Sequence, residues 1–120
     1  MKTLKLNIVH RLLLNSYLDE KGKEGGTLSE QNKMMKVMDR LVLAEVETQR
    51  ISLRMEDSSL RWNTKGEDGT DLDPLVDIEL TDEQADLLKT LLKEKNEKKQ
   101  IKMAEAAPLT ELAKQLEIEL

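Results

Sequence analysis

The amino-acid sequence predicts an α+β fold: a mainly helical single domain with a small antiparallel sheet. Three observations lead there. Apolar residues recur at helical spacing from Met34 to Leu43 and from Ala85 to Leu92, and each run follows a capping-box pair, Thr27 with Glu30 and Thr81 with Gln84. Between them, Ile51, Leu53 and Met55, and then Val76, Ile78 and Leu80, alternate with polar residues as half-buried strands do. At 120 residues the chain has the size of one domain with one core.

The first segment carries two periods. Leu4, Leu6 and Ile8 alternate, whereas Ile8, Arg11, Leu12, Asn15 and Leu18 follow helical spacing, which places a helix from about Asn7 with Asn7 as its cap. Gly22, Gly25 and Gly26 among charges make residues 19–26 a flexible loop. The helix opened by Thr27 carries Met34, Met35, Met38, Leu41 and Val42 and ends near Leu43, and Ala44 to Arg50 adds a further helical turn. The strand from Ile51 to Met55 turns at Asp57, Ser58 and Ser59 and returns from Leu60 to Asn63, with Leu60 and Trp62 on one face. Because a lone hairpin is marginal in water, helices are expected to cover one side of it.

Residues 64–74 hold Gly66, Gly69 and several carboxylates and read as an exposed, flexible loop before a third strand over Val76 to Leu80. Asp82 and Glu83 then sit where the dipole of a helix beginning at Thr81 favours negative charge, while Ala85, Leu88, Leu91 and Leu92 form its core stripe. The polar run Lys93 to Lys102 leads the helix into solvent. Pro108 marks a boundary, and Thr110 is placed to cap a separate C-terminal helix over 109–120, whose stripe of Leu109, Leu112, Ala113, Leu116 and Leu120 docks on the domain or on another copy.

Composition narrows the function. Apolar residues make up 38% and charged residues 36%, and with Trp62 and Tyr17 the only aromatics, the core falls to Leu, Ile, Val and six Met, a soft and adaptable set. The absence of cysteine excludes disulfides, thiolate zinc sites, iron–sulfur clusters and a cysteine nucleophile. No apolar run approaches the roughly 20 residues of a membrane span, and Asn7, His10 and Arg11 interrupt the N-terminal segment, so a cytoplasmic protein without membrane contact is expected. Charge is polarised: residues 1–63 hold 11 basic and 9 acidic groups, residues 64–120 hold 8 and 15.

No constellation for catalysis, metal or cofactor emerges. His10 is the one histidine and has no companion nucleophile or orienting carboxylate in sequence, which favours a surface or boundary imidazole. The acidic residues Asp68, Asp71, Asp73, Asp77 and Glu79 lack the ligand order of a calcium loop and read first as a solvated patch. Their second reading is mimicry of nucleic-acid phosphates, offered to a basic protein. The lysines from Lys89 to Lys102 have no interleaved aromatic to stack a base, so direct nucleic-acid binding is not expected. Trp62 divides between core and interface. Arg54 and Arg61 beside it give the composition of a binding hot spot, and these three are the candidate partner-binding residues.

Leu6-Asn7-Ile8 followed by Arg11-Leu12-Leu13-Leu14-Asn15, with a central Trp62-Asn63, resembles a group of short, uncharacterised phage and prophage proteins. The resemblance extends to a helix, a strand ending in Trp-Asn, a short acidic strand and a charged helix in that order. It implies a mobile-element origin and supplies no catalytic residue or ligand. The expectation is therefore a non-enzymatic accessory protein that binds a protein partner, host-encoded or a second copy. An acidic nucleic-acid mimic is the alternative, and an oligomeric small-ligand binder or an unrecognised enzyme is the third class.

Overall fold

In a computed structural model, which describes residues 1–118, the α+β class holds. Strand β1 (Lys2–Leu6) leads into helix α1 (Ile8–Lys23), followed by α2 (Leu28–Leu41) and the short α3 (Glu45–Arg50). The hairpin β2 (Arg54–Glu56) and β3 (Ser59–Arg61) comes next, then β4 (Val76–Leu80), α4 (Asp82–Glu97), a 3₁₀ turn (Met103–Glu105) and α5 (Ala106–Leu116). The chain forms two separate two-stranded sheets, β1 with β4 and β2 with β3.

Both periods of the first segment are real, one after the other. Alternation produces β1, which pairs antiparallel with β4 so that Leu4 meets Ile78 and Leu6 meets Val76, while Lys5 faces Asp77 and Thr3 faces Glu79 on the outer side. Asn7 then caps α1, its side chain accepting a hydrogen bond from His10 N. A two-stranded sheet has two open edges, which are a liability. Here α5 and α2 each send a side chain to one of them: the Gln115 amide accepts from Lys5 N at 2.6 Å and donates to Lys5 O at 2.8 Å, and Arg40 Nε donates to Glu79 O at 3.0 Å.

The core lies between this sheet's inner face and the four longer helices. Leu4, Leu6 and Leu80 meet Leu14 and Leu18 of α1, Val37 and Leu41 of α2, Leu88 and Leu92 of α4, and Leu109, Leu112 and Leu116 of α5. The C-terminal helix is thus part of the core and begins at Ala106, earlier than a Thr110 cap would place it; Thr110 Oγ1 instead donates back to Ala106 O at 2.7 Å. Leu120 of the expected stripe lies outside the described residues.

The segment 19–26 is corrected too. Asp19 to Lys23 continue α1, because Lys23 pairs with Asp19 at 3.1 Å and Lys21 reaches Glu94 of α4 at 3.0 Å, a polar surface turn held by ion pairs. The break comes only at Gly25, whose φ of +86° suits a residue without Cβ. The hairpin is shorter than its alternation suggests, since Ile51 is buried as the C-cap of α3 and Asp57 and Ser58 both take positive φ in a tight two-residue turn.

Helix α4 rests on the reciprocal box its sequence announces: Thr81 Oγ1 accepts from Gln84 N at 3.1 Å and Gln84 Oε1 accepts from Thr81 N at 2.9 Å. Thr81→Ala is expected to lower unfolding free energy by about 1 kcal/mol in urea denaturation, with Thr81→Ser close to the parent.

Candidate functional site

The first turn of α1 is where distant parts of the chain converge. A helix begins with backbone N–H groups that have no partner inside it. Asn7 Oδ1 accepts from His10 N at 2.9 Å, His10 Nδ1 accepts from Asn7 N at 3.2 Å, and Ile8 N donates to Asp73 Oδ1 at 2.6 Å. Asp73 is buried there, and its negative charge stands at the positive end of the helix dipole.

One residue further, Arg11 is 4% exposed and spends its guanidinium on three segments. Nε donates to Leu41 O at 3.2 Å and Nη2 donates to Val42 O, which answers carbonyls left open at the end of α2. Nη1 and Nη2 also meet Glu47 of α3 at 2.6 and 3.1 Å, a two-pronged ion pair. The Arg11 hydrogen bonds hold the Glu47 carboxyl below its ordinary pKa against the opposing effect of burial, and Ala44 N adds to them at 3.0 Å.

Glu47 precedes a segment that leaves the core, and Asp73 stands near its end. The two contacts fix both ends of an arm over residues 51–75 on a single turn of α1. Within it Asn63 N donates to Ile51 O at 2.7 Å, Leu72 N to Thr64 O at 2.9 Å, and Arg50 Nε to Leu72 O at 3.2 Å. The segment 64–74, read from sequence as a flexible loop, closes on itself through a bridge between Lys65 and Asp71 and a turn in which Gly66 N donates to Thr70 O at 2.8 Å.

At the tip of the arm, β2 and β3 pack chiefly on each other, and no helix makes more than marginal contact with them, contrary to the expected helical cover. Cross-strand pairing sets Met55 opposite Leu60 on one face and Arg54 opposite Arg61 on the other. Met55 is 65% and Leu60 is 41% exposed. Trp62 directly follows β3 and is half-buried; continued alternation carries it to the Leu60 side, whereas Arg54 and Arg61 share the other face. Arg54 is engaged locally, with Glu56 at 2.8 Å and Ser52 O at 2.8 Å, and that ion pair lowers the Glu56 pKa. Arg61 makes no ion pair among the described residues.

The acidic patch does not assemble as one surface. Asp68 and Asp71 sit in the arm's turn, where Thr70 hydrogen bonds lower the Asp68 pKa and Asp71 accepts from Asp73 N at 2.9 Å. Asp77 and Glu79 are on the outer face of β4, across from Lys5 and Thr3. Asp73 is inside. Its removal from the patch is a correction with a plain cause, because an N–H of α1 needed a partner where Asp73 passes. His10 is corrected likewise, from surface to a buried capping role. Among the described residues, no group of three or more His, Asp or Glu is gathered to hold a metal ion, and no helix is long and apolar enough to cross a membrane.

Arg11 and Glu47 were absent from the sequence candidates, although one signal was available. Arg11 occupies a core position of the stripe Ile8, Arg11, Leu14, Leu18, and a charge at such a position requires a buried counterpart. No protein-family model matches the chain, and no curated protein or solved structure matches it.

Two outcomes follow from this root. Arg11→Ala is expected to lower stability by about 3–5 kcal/mol and to speed proteolytic cleavage within residues 51–75, and Arg11→Lys to recover little, because a single ammonium cannot face Glu47 and both carbonyls at once. Burial lowers the His10 pKa from 6.5, with Asp73 and Glu111 acting in the opposite sense. The unfolded chain therefore binds the proton more readily. The stability from neutral His10 is fully present above about 6.5 and declines as pH falls through that value toward the lower folded-state pKa. His10→Gln keeps an acceptor for Asn7 N, so urea midpoints on acidification should fall less steeply than the parent's over that window.

Proposed function

We propose that the chain is a non-enzymatic binding protein whose arm, residues 51–75, presents the apolar face of the β2–β3 hairpin to a protein partner. The observation that carries this reading is the exposed cross-strand pair Met55 and Leu60, continued by Trp62, on a hairpin that no helix covers. A two-stranded ribbon of this kind gains stability from a further surface, and a partner can supply it. Arg54 and Arg61 stand directly opposite each other with Glu56 offsetting part of their charge, and an acidic rim on the partner would relieve the like-charge repulsion that remains.

The rooted base supports the same reading. With both ends of the arm held by α1, less ordering entropy is lost on binding than for a free loop. The resemblance to short phage and prophage proteins sets the proposal in mobile-element biology, where the partner is a host protein. Mimicry of nucleic acid is the weaker reading, because it needs one continuous acidic face and Asp73 is withdrawn from it.

Lysate capture with the full chain tests the proposal when run beside Met55→Thr/Leu60→Thr, which keeps a compatible cross-strand pair, and Trp62→Ala. The partner retained by the parent should be lost with the double variant and weakened at least about tenfold by Trp62→Ala, with melting temperatures of the double variant unchanged. Equal retention by parent and double variant would sink the hairpin reading.

A further inference from the structure

Helix α2 has two apolar stripes where a surface helix needs one. Met34, Val37 and Leu41 face the core. A second line, Leu28, Met35 and Val42, repeats every seven residues and is 76%, 54% and 63% exposed, with half-buried Met38 beside it. From Leu28 to Val42 this ridge runs about 21 Å at the helical rise. On one flank α1 recedes at Gly22, leaving a groove of about 210 Å³ into which Met35 and Met38 face.

The other flank carries Lys36 and Asp39, which lie with Met35 and Met38 on one shallow surface. Neighbouring cations on α2 are engaged, Lys33 with Glu83 at 3.0 Å and Arg40 with Glu79 O at 3.0 Å. Lys36 and Asp39 make no ion pair among the described residues. Their order decides what fits. A two-fold axis perpendicular to α2 and lying in the interface keeps this flank beside the same flank of the second copy and reverses its direction, so Lys36 of each copy stands across from Asp39 of the other. A parallel pairing sets the flank instead against the α1 side, where Lys23 and Asp19 already pair with each other at 3.1 Å. Self-complementarity of this kind is what an isologous interface requires.

We infer that the Met35, Met38, Val42 part of this ridge is a self-association face, on which a second copy of this chain lies antiparallel with Met35 and Met38 interleaved and two reciprocal Lys36 to Asp39 ion pairs beside them. The face is distinct from the arm, and a dimer built on it carries two arms, so a partner with paired sites is held by avidity.

Sedimentation of the full chain across a concentration series tests this. The parent should dimerise reversibly, and Met35→Lys should abolish association. Lys36→Glu should weaken it roughly tenfold, because both symmetric ion pairs become repulsive at once, and Lys36→Glu/Asp39→Lys should restore it. All of these positions are exposed or half-exposed, and circular dichroism melting confirms that the variants fold. A parent that stays monomeric, an association indifferent to Lys36→Glu, or a charge swap that fails to restore would each overturn the inference, and none of these results bears on the arm.

Discussion

A guanidinium held out of water must have its donors answered, or the fold is disfavoured by several kcal/mol. Arg11 is that group here, and much of the chain's course is arranged to answer it. Leu41 O and Val42 O turn toward it as α2 ends, and Glu47 meets it as α3 begins. The charge that would penalise burial thereby closes another helix's end, and arginine suits the position because its planar fork addresses several acceptors in fixed directions. Glu47 is held in place by the same contacts, and with it the point at which the arm leaves the core.

The return of the arm is fixed a few residues away on the same helix. Asp73 supplies the acceptor that Ile8 N lacks, so the arm begins and ends on one turn of α1 while the strands at its tip pack chiefly on each other. This divides the molecule energetically. The root consists of charge-assisted hydrogen bonds, whereas the strands of the tip are exposed along their whole length, the regime from which binding elements are commonly drawn. The core beneath is aliphatic and leucine-rich, and it leaves α2 enough apolar surface for a second, outward ridge.

The parts of this architecture that were legible in the sequence are those set by neighbours within one helical turn or one strand. Thr27 and Thr81 start helices because their side chains answer N–H groups three residues on, and Asn7 does the same for α1; Gln84 returns the bond to Thr81 N, whereas Glu30 accepts from the Thr27 hydroxyl instead. The N-terminal ambiguity dissolves because Leu4 and Leu6 belong to a strand that hands over at Asn7 to a helix beginning with Ile8, so neither period was false. Asp19 to Lys23 looked like loop because glycine and charge dominate locally, while Glu94, which supports that turn, lies far off along the chain. The candidate site was half visible. Trp62, Arg54 and Arg61 share a hairpin as their spacing implied, but the split of that hairpin into an apolar and a basic face depends on register.

By itself the sequence determined the α+β class, the starts of α1, α2 and α4, the alternating stretches and the tight reversal near Asp57 and Ser58. Each of these follows from bonds that a residue can make with its near neighbours. Only the tertiary structure decided that β1 pairs with β4 rather than with the hairpin, that His10, Arg11 and Asp73 are buried while Met35 and Met55 are exposed, and that a run of carboxylates separates into different environments. The physical reason is that burial of a polar group depends on which distant donor or acceptor arrives to satisfy it, and that arrival is a property of the packed chain.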